Sequence, residues 1–115
     1  MVERTAEQLD DVFRALAHPA RRQMLRTLAR EPTSISDLAR PHRMSLAAAA
    51  KHVHVLESAG LVRLTLSGRT RMCRIDAEPL SEAYEWIRTY ERLWSRRLDA
   101  LEALFANDDD EEEDS

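Results

Sequence analysis

Apolar positions along this 115-residue chain recur mostly at helical spacing, and only one stretch alternates like a β-strand pair. Leu9, Val12, Phe13 and Leu16 stand at i, i+3, i+4 and i+7, which is one stripe of a helix. Ahead of them, Thr5-Ala6-Glu7-Gln8 has the form of a capping box, Thr5 bonding forward and Gln8 back. His18-Pro19 interrupts the pattern. Pro19 then suits the first turn of a second helix, where its missing N–H costs nothing. Met24, Leu25 and Leu28 give that helix a core face, with Arg21, Arg22, Arg26 and Arg30 scattered around it. Glu31-Pro32-Thr33-Ser34 ends it. Ser36 is the expected N-cap of a short third helix, Asp37 to about His42, which Pro41 keeps short. Arg43-Met44-Ser45 is a tight connection, and Ser45 is the expected N-cap of a fourth helix.

On a wheel of that fourth helix, Leu46, Ala49, Val53 and Leu56 cluster on one face, the expected core face. Ala47, Lys51, Val55 and Ser58 lie opposite, flanked by Ala48 and His54, with His52 to one side. Gly60 is placed to end the helix. Leu61 to Leu66 and Thr70 to Ile75 then flank Ser67-Gly68, the expected two-residue turn of a β-hairpin. That register sets Val62 opposite Cys73 and Leu64 opposite Arg71. The base of the hairpin is apolar, its far end carries Arg69 and Arg71, and Arg63 and Arg74 lie along the opposite face or edge. From Pro79 to Phe105 one long helix is expected, with Leu80, Ile87, Trp94 and Leu101 seven apart and Tyr84, Leu98 and Phe105 on the adjoining row. Such a helix, roughly 40 Å long at 1.5 Å per residue, would overhang a domain of this size. The economical explanation is pairing with the same helix, and with the first helix, of a second copy. The expected interface is Leu9, Val12, Phe13, Tyr84, Ile87, Tyr90, Trp94, Leu98, Leu101 and Phe105.

Two short helices joined by a tight turn, the second running into a hairpin, make a helix-turn-helix with a wing. The expected fold class is therefore mainly α with a small β-hairpin wing, the first and last helices forming a dimer interface. Composition agrees with a soluble globular domain, 43% hydrophobic and 33% charged. The net charge of −4 conceals an uneven distribution. Seven of the 21 acids fall in Asp108 to Asp114, leaving 14 acids against 17 Lys plus Arg in the remainder, a body of about +3. Residues 1–106 are expected to form the DNA-binding and dimerisation domain, and 107–115 a disordered acidic tail. An alternative role for the tail is competition with phosphates for the basic face. No apolar run approaches the roughly 20 residues of a membrane helix, and Met1 to Asp10 lacks the features of a signal peptide. A cytoplasmic protein is expected. The single cysteine, Cys73, excludes an internal disulfide framework.

Duplex DNA is the partner these elements suit, and the candidate contacts are Ser45, Ala47, Ala48, Lys51, His52, His54, Arg69 and Arg71. Lys51 is suited to a phosphate or a guanine and His52 to a phosphate, while His54 suits equally a phosphate or a solvated surface position. Ala47, Ala48 and Ala50 cannot hydrogen-bond to base edges but can approach closely and touch a thymine methyl. Selectivity then falls largely to Ser45, Lys51, the backbone and DNA shape. Arg69 and Arg71 would enter the minor groove or grip its phosphates; a wing tip charged only for solubility is the alternative. As a whole, the basic faces could instead serve a protein–protein module with an acidic partner. His52 and His54 point about 200° apart on a helix and cannot share an ion. His18 and His42 lack partners at ligand spacing, so no metal site and no cofactor is expected. A redox- or metal-responsive role for Cys73 is a second alternative. With two glycines, no phosphate loop and no Ser/His/Asp set, the chain is not expected to be an enzyme.

The runs Phe13-Arg14-Ala15-Leu16-Ala17-His18-Pro19-Ala20-Arg21-Arg22, Ile35-Ser36-Asp37-Leu38-Ala39, Met44-Ser45-Leu46 with Lys51-His52, and Leu56-Glu57-Ser58-Ala59-Gly60-Leu61-Val62 together resemble the ArsR-type winged helix-turn-helix regulators. The resemblance covers about residues 8 to 105. Pro41 and the stretch Trp86 to Leu104 are similar to its metal-independent branch, often encoded beside small hydrophobic-ligand-binding domain proteins. The resemblance implies a homodimeric repressor of an inverted-repeat operator, released by an effector that changes the angle between its two DNA-reading halves. Ser36-Asp37-Leu38-Ala39 replaces the thiol-bearing motif of the metal sensors, which points to a non-metal effector. Ala50 replaces a common Ser or Thr, losing a DNA contact. His18 replaces a common capping Asp, which weakens the cap or makes it pH-responsive.

Overall fold

The computed structural model describes residues 6–113, with side chains described through Ala106. Its helices are α1 (Ala6–Leu16), α2 (Pro19–Arg30), α3 (Ile35–Ala39), α4 (Leu46–Ser58), α5 (Glu78–Arg88) and α6 (Glu91–Glu113). Its strands are β1 (Thr33–Ser34), β2 (Val62–Ser67) and β3 (Thr70–Ile75), in the antiparallel order β1-β3-β2. The chain divides into two compact units, residues 1–83 and 84–115.

In the first unit the expected apolar stripes meet in one core. Val12, Met24, Leu38, Val53, Leu56, Leu61, Val62 and Cys73 are fully buried there. Leu9, Phe13 and Leu16 pack partly buried against it. Val12, expected between two copies, is only 2% exposed and so has no surface left for a second chain. Thr5, the expected cap of α1, lies outside the described residues.

Helix α2 starts at Pro19, as its fixed φ favours, and His18 caps it, its Nδ1 accepting the Ala20 N–H at 3.1 Å. The two arginines that follow close the end of α1. Arg21 donates to the Ala15 and Arg14 carbonyls at 2.8 and 2.9 Å, and Arg22 to the Leu16 carbonyl at 2.7 Å. The Arg14 carbonyl also accepts the Ala17 N–H at 3.2 Å; carbonyls of a last helical turn lack i+4 donors, and cationic donors are the strongest available to them.

Helix α3 begins ahead of the expected Ser36 cap. Ser34 caps it instead, its Oγ accepting the Asp37 N–H at 3.2 Å. The same stretch supplies β1, pairing Thr33 with Cys73 and Ser34 with Met72. Two residues are too few for an alternating pattern, so this strand has no periodic signature. After α3 a 3-10 turn, Arg40–His42, accommodates Pro41. Arg43 then reverses the chain in the left-handed region at φ 53.

Helix α4 ends at the C-cap Ala59, with Gly60 following at φ +77. The hairpin turn is Gly68-Arg69, not Ser67-Gly68, and the register changes accordingly. Val62 pairs with Ile75, Leu64 with Cys73 and Leu66 with Arg71. Gly68, at φ +65, occupies the first central position of the turn, where a type II′ turn needs positive φ. Moving the turn by one residue slides the register by two, so every side chain keeps its expected face.

The second unit corrects the expectation of one helix from Pro79 to Phe105. The helix breaks at Thr89-Tyr90 without proline or glycine. Thr89 and Tyr90 donate to Trp86 and Ile87 in tight i→i−3 bonds of 3.3 and 2.9 Å. The Thr89 hydroxyl adds a 2.7 Å bond to the Trp86 carbonyl, the back-bonding by which threonine competes with helix geometry. Heptad phase therefore holds within each helix and not across the break. On α6, Trp94, Leu98, Leu101 and Phe105 still form one stripe, each between 50% and 66% exposed.

Candidate nucleic-acid interface

Helix α4 begins at Ser45, whose Oγ accepts the Ala48 N–H at 3.1 Å. Beyond the cap, Ala47, Lys51 and His54 are exposed, while Ala48 and Ala50 are half-buried. The core side consists of Ala49, Val53 and Leu56. Leu46, expected with them, is 58% exposed. The reason lies in side-chain direction, because a helical side chain leans over the turn N-terminal to its own Cα. Leu46 is the first helical residue, so it projects past the end of the helix instead of over it.

On the wing, Arg69 lies in the turn and Arg71 pairs with Leu66 on the adjoining strand, all three exposed. Several other arginines are already bound to carboxylates: Arg63 to Asp76, Arg40 to Asp37 and Arg14 to Asp11, each at 3.0 Å. Among the described residues no acid pairs with Lys51, Arg69 or Arg71. Arg43, exposed in the turn before α4, has no ion pair either among the described residues. Nothing in the sequence singles out Arg43, since the left-handed turn it makes is usually signalled by Gly or Asn. Negative charge gathers elsewhere in the first unit. A cleft of about 720 Å³ between α1, the end of α4, β2 and the start of α5 is lined by Asp11, Glu57, Asp76 and Glu78, with Arg63 as its one cation. That cleft is therefore lined by an excess of acids, whereas α4 and the wing carry Lys51, Arg69 and Arg71.

His52, expected to meet a phosphate, has its Nδ1 turned toward a neighbouring helix. Its ring is half-buried, 4.5 Å from the His18 ring, and its Nδ1 faces the Arg21 guanidinium at 3.3 Å. Burial first, then the neighbouring His18, Arg21 and His42, holds its pKa below the ordinary 6.5. A neutral ring accepting from Arg21 ties α4 to the start of α2. Cys73 is fully buried, and burial, with Glu57 adding to it, pushes the thiol up to about 11. The reactive thiolate is thereby suppressed, and Cys73 serves as a small apolar filler between β1 and β2. Among the described residues no group of three or more His, Cys, Asp or Glu could hold a metal ion. Nor is any helix among them long and apolar enough to cross a membrane.

Comparison with known proteins places this arrangement among relatives. Residues 16–65 match a family described as a helix-turn-helix domain. The chain is 31% identical over 103 residues to the HTH-type transcriptional regulator Rv2034 of Mycobacterium tuberculosis, covering 89% of this chain and 92% of that protein. Among solved structures, the ArsR family transcriptional regulator RHA00566 is 39% identical with a TM-score of 0.72, over 82% of this chain and 97% of the other. An ArsR-like transcriptional regulator from Rhodococcus sp. RHA1 is 32% identical with a TM-score of 0.65, over 85% and 92%. A homodimeric winged helix-turn-helix DNA-binding domain, Mb0332 from Mycobacterium bovis, shares the fold at 24% identity and a TM-score of 0.61, over 80% and 91%.

Proposed function

Because the chain belongs to the ArsR family of winged helix-turn-helix transcriptional regulators, which are DNA-binding proteins and not enzymes, we propose that it acts as a homodimeric repressor of an inverted-repeat operator. Helix α4 enters the major groove through Ser45, Ala47, Ala48, Lys51 and His54, and the wing meets the adjacent backbone or minor groove through Arg69 and Arg71. The observation that carries the reading is the set of cations without acidic partners on these two elements, among the described residues, while Arg14, Arg40 and Arg63 are neutralised. Two copies associate through Leu9 and Phe13 of α1 and the exposed Tyr84, Ile87, Tyr90, Trp94, Leu98, Leu101 and Phe105. The last seven side chains are 40% to 66% exposed, an apolar surface that exceeds scattered exposure and suits a second copy. The homodimeric state of Mb0332 supports the same assembly. Release by a non-metal effector is supported by an α3 that carries no thiol, Ile35-Ser36-Asp37-Leu38-Ala39.

A salt titration with a duplex selected from a random pool tests the DNA-binding surface. Binding weakens linearly in log salt, and Lys51→Ala plus Arg71→Ala lowers affinity at least tenfold and flattens the slope by about two for each chain bound. Unchanged duplex affinity in the double variant overturns this surface.

A further inference from the structure

Among the described residues of the first unit, only Leu46 and Leu66 are large hydrophobic side chains left exposed, at 58% and 73%. Both lie on the elements assigned to DNA, Leu46 at the tip of α4 and Leu66 beside Arg71 on the wing. The N-terminal residues of a recognition helix are the ones that reach base edges. Here that tip offers little hydrogen-bonding chemistry. Ser45 uses its Oγ to cap the helix, and the next five residues are Leu46, Ala47, Ala48, Ala49 and Ala50. The major-groove edges of the four ordinary bases carry one methyl group, the C5-methyl of thymine.

We propose that Leu46 is a specificity-determining residue that packs its side-chain methyls against the C5-methyl of one thymine in each half-site. The proposal rests on the operator reading above and adds to it which base the helix tip selects. Arg43 before the cap and Lys51 one turn and a half later hold phosphates or guanines on either side, so charge orients the helix while Leu46 discriminates. A second copy of the chain is a poor occupant for Leu46. The exposed Arg43 stands three residues before it, and an isologous contact at the helix tip would bring the two copies of that cation together. A single leucine is also far too little surface for a protein interface.

The test uses the full chain and the duplex selected from a random pool. Each thymine is replaced in turn by deoxyuridine, which removes the methyl and leaves base pairing intact, and affinity is read by fluorescence anisotropy. The wild-type chain is expected to lose about fourfold at one thymine in each half-site, the weight of one buried methyl-sized group. Leu46→Ala is expected to bind thymine and deoxyuridine equally there, and Leu46→Met to keep the preference. The side chain is exposed, so both variants should melt like the wild type, and circular dichroism checks this. Indifference of the wild-type chain to every deoxyuridine, or a preference that persists in Leu46→Ala, overturns the role of Leu46 alone. Failure of the pool to yield any preferred duplex overturns the operator reading itself.

Discussion

His18, Arg21 and His52 show how much of this sequence's apparent chemistry is structural. Each is polar and near the candidate interface, yet each is engaged in joining helices. The lowered pKa of His52 has a direct consequence for stability. The unfolded chain takes up a proton near 6.5, while the folded chain resists it. Stability contributed by the neutral ring is therefore fully present above 6.5 and is lost progressively as pH falls below it. Urea unfolding at about pH 7.5 and about pH 5.5 should show a lower midpoint under the acidic condition, and His52→Gln should reduce the difference. An equal pH dependence in the variant would remove His52 from this role. The position of Leu46 is not legible from its wheel angle, which gives the face of a residue but not its distance from the helix end. Its place directly after the Ser45 cap is the available clue.

Helices α1, α2 and α4 are readable because their apolar spacing is regular and the caps of the latter two, His18-Pro19 and Ser45, have physical signatures. Three features escape for different reasons. Strand β1 is two residues long, too short for periodicity. The hairpin turn takes Gly68-Arg69 because Gly68 can adopt positive φ at its first position. The break between α5 and α6 arises from Thr89 bonding back to Trp86, and a lone threonine does not announce a break. Packing and turn chemistry make separable contributions at this scale. Leu56 is fully buried, and Leu56→Ala should cost about 3 kcal/mol through lost contact and a residual cavity. A Cβ added at Gly68 would meet nothing within 4 Å, so Gly68→Ala should cost only the backbone penalty of positive φ, about 1 kcal/mol. Thermal unfolding of the two variants measures both, and a reversal of their order would contradict this division.

At the scale of the whole molecule, the cations proposed to meet DNA and the main exposed apolar stripe lie on different elements. Lys51, Arg69 and Arg71, without acidic partners among the described residues, lie on α4 and the wing, whereas most of the exposed large aromatic and aliphatic side chains run from Tyr84 to Phe105. The first set suits a phosphate backbone and the second a second copy. In the proposed dimer, recognition depends on two half-sites held at a fixed spacing, which would compensate for a helix tip poor in hydrogen-bonding side chains. The seven acids of Asp108 to Asp114 mask this in the net charge, which is why the overall value of −4 is a poor guide to the partner. Selection of duplexes from a random pool by the full chain, followed by sequencing, tests the account most directly. It predicts enrichment of an imperfect inverted repeat with half-site centres about one helical turn, roughly 34 Å, apart or a multiple of that spacing. Enrichment of an isolated half-site without a symmetric mate, or no enrichment at all, would contradict it.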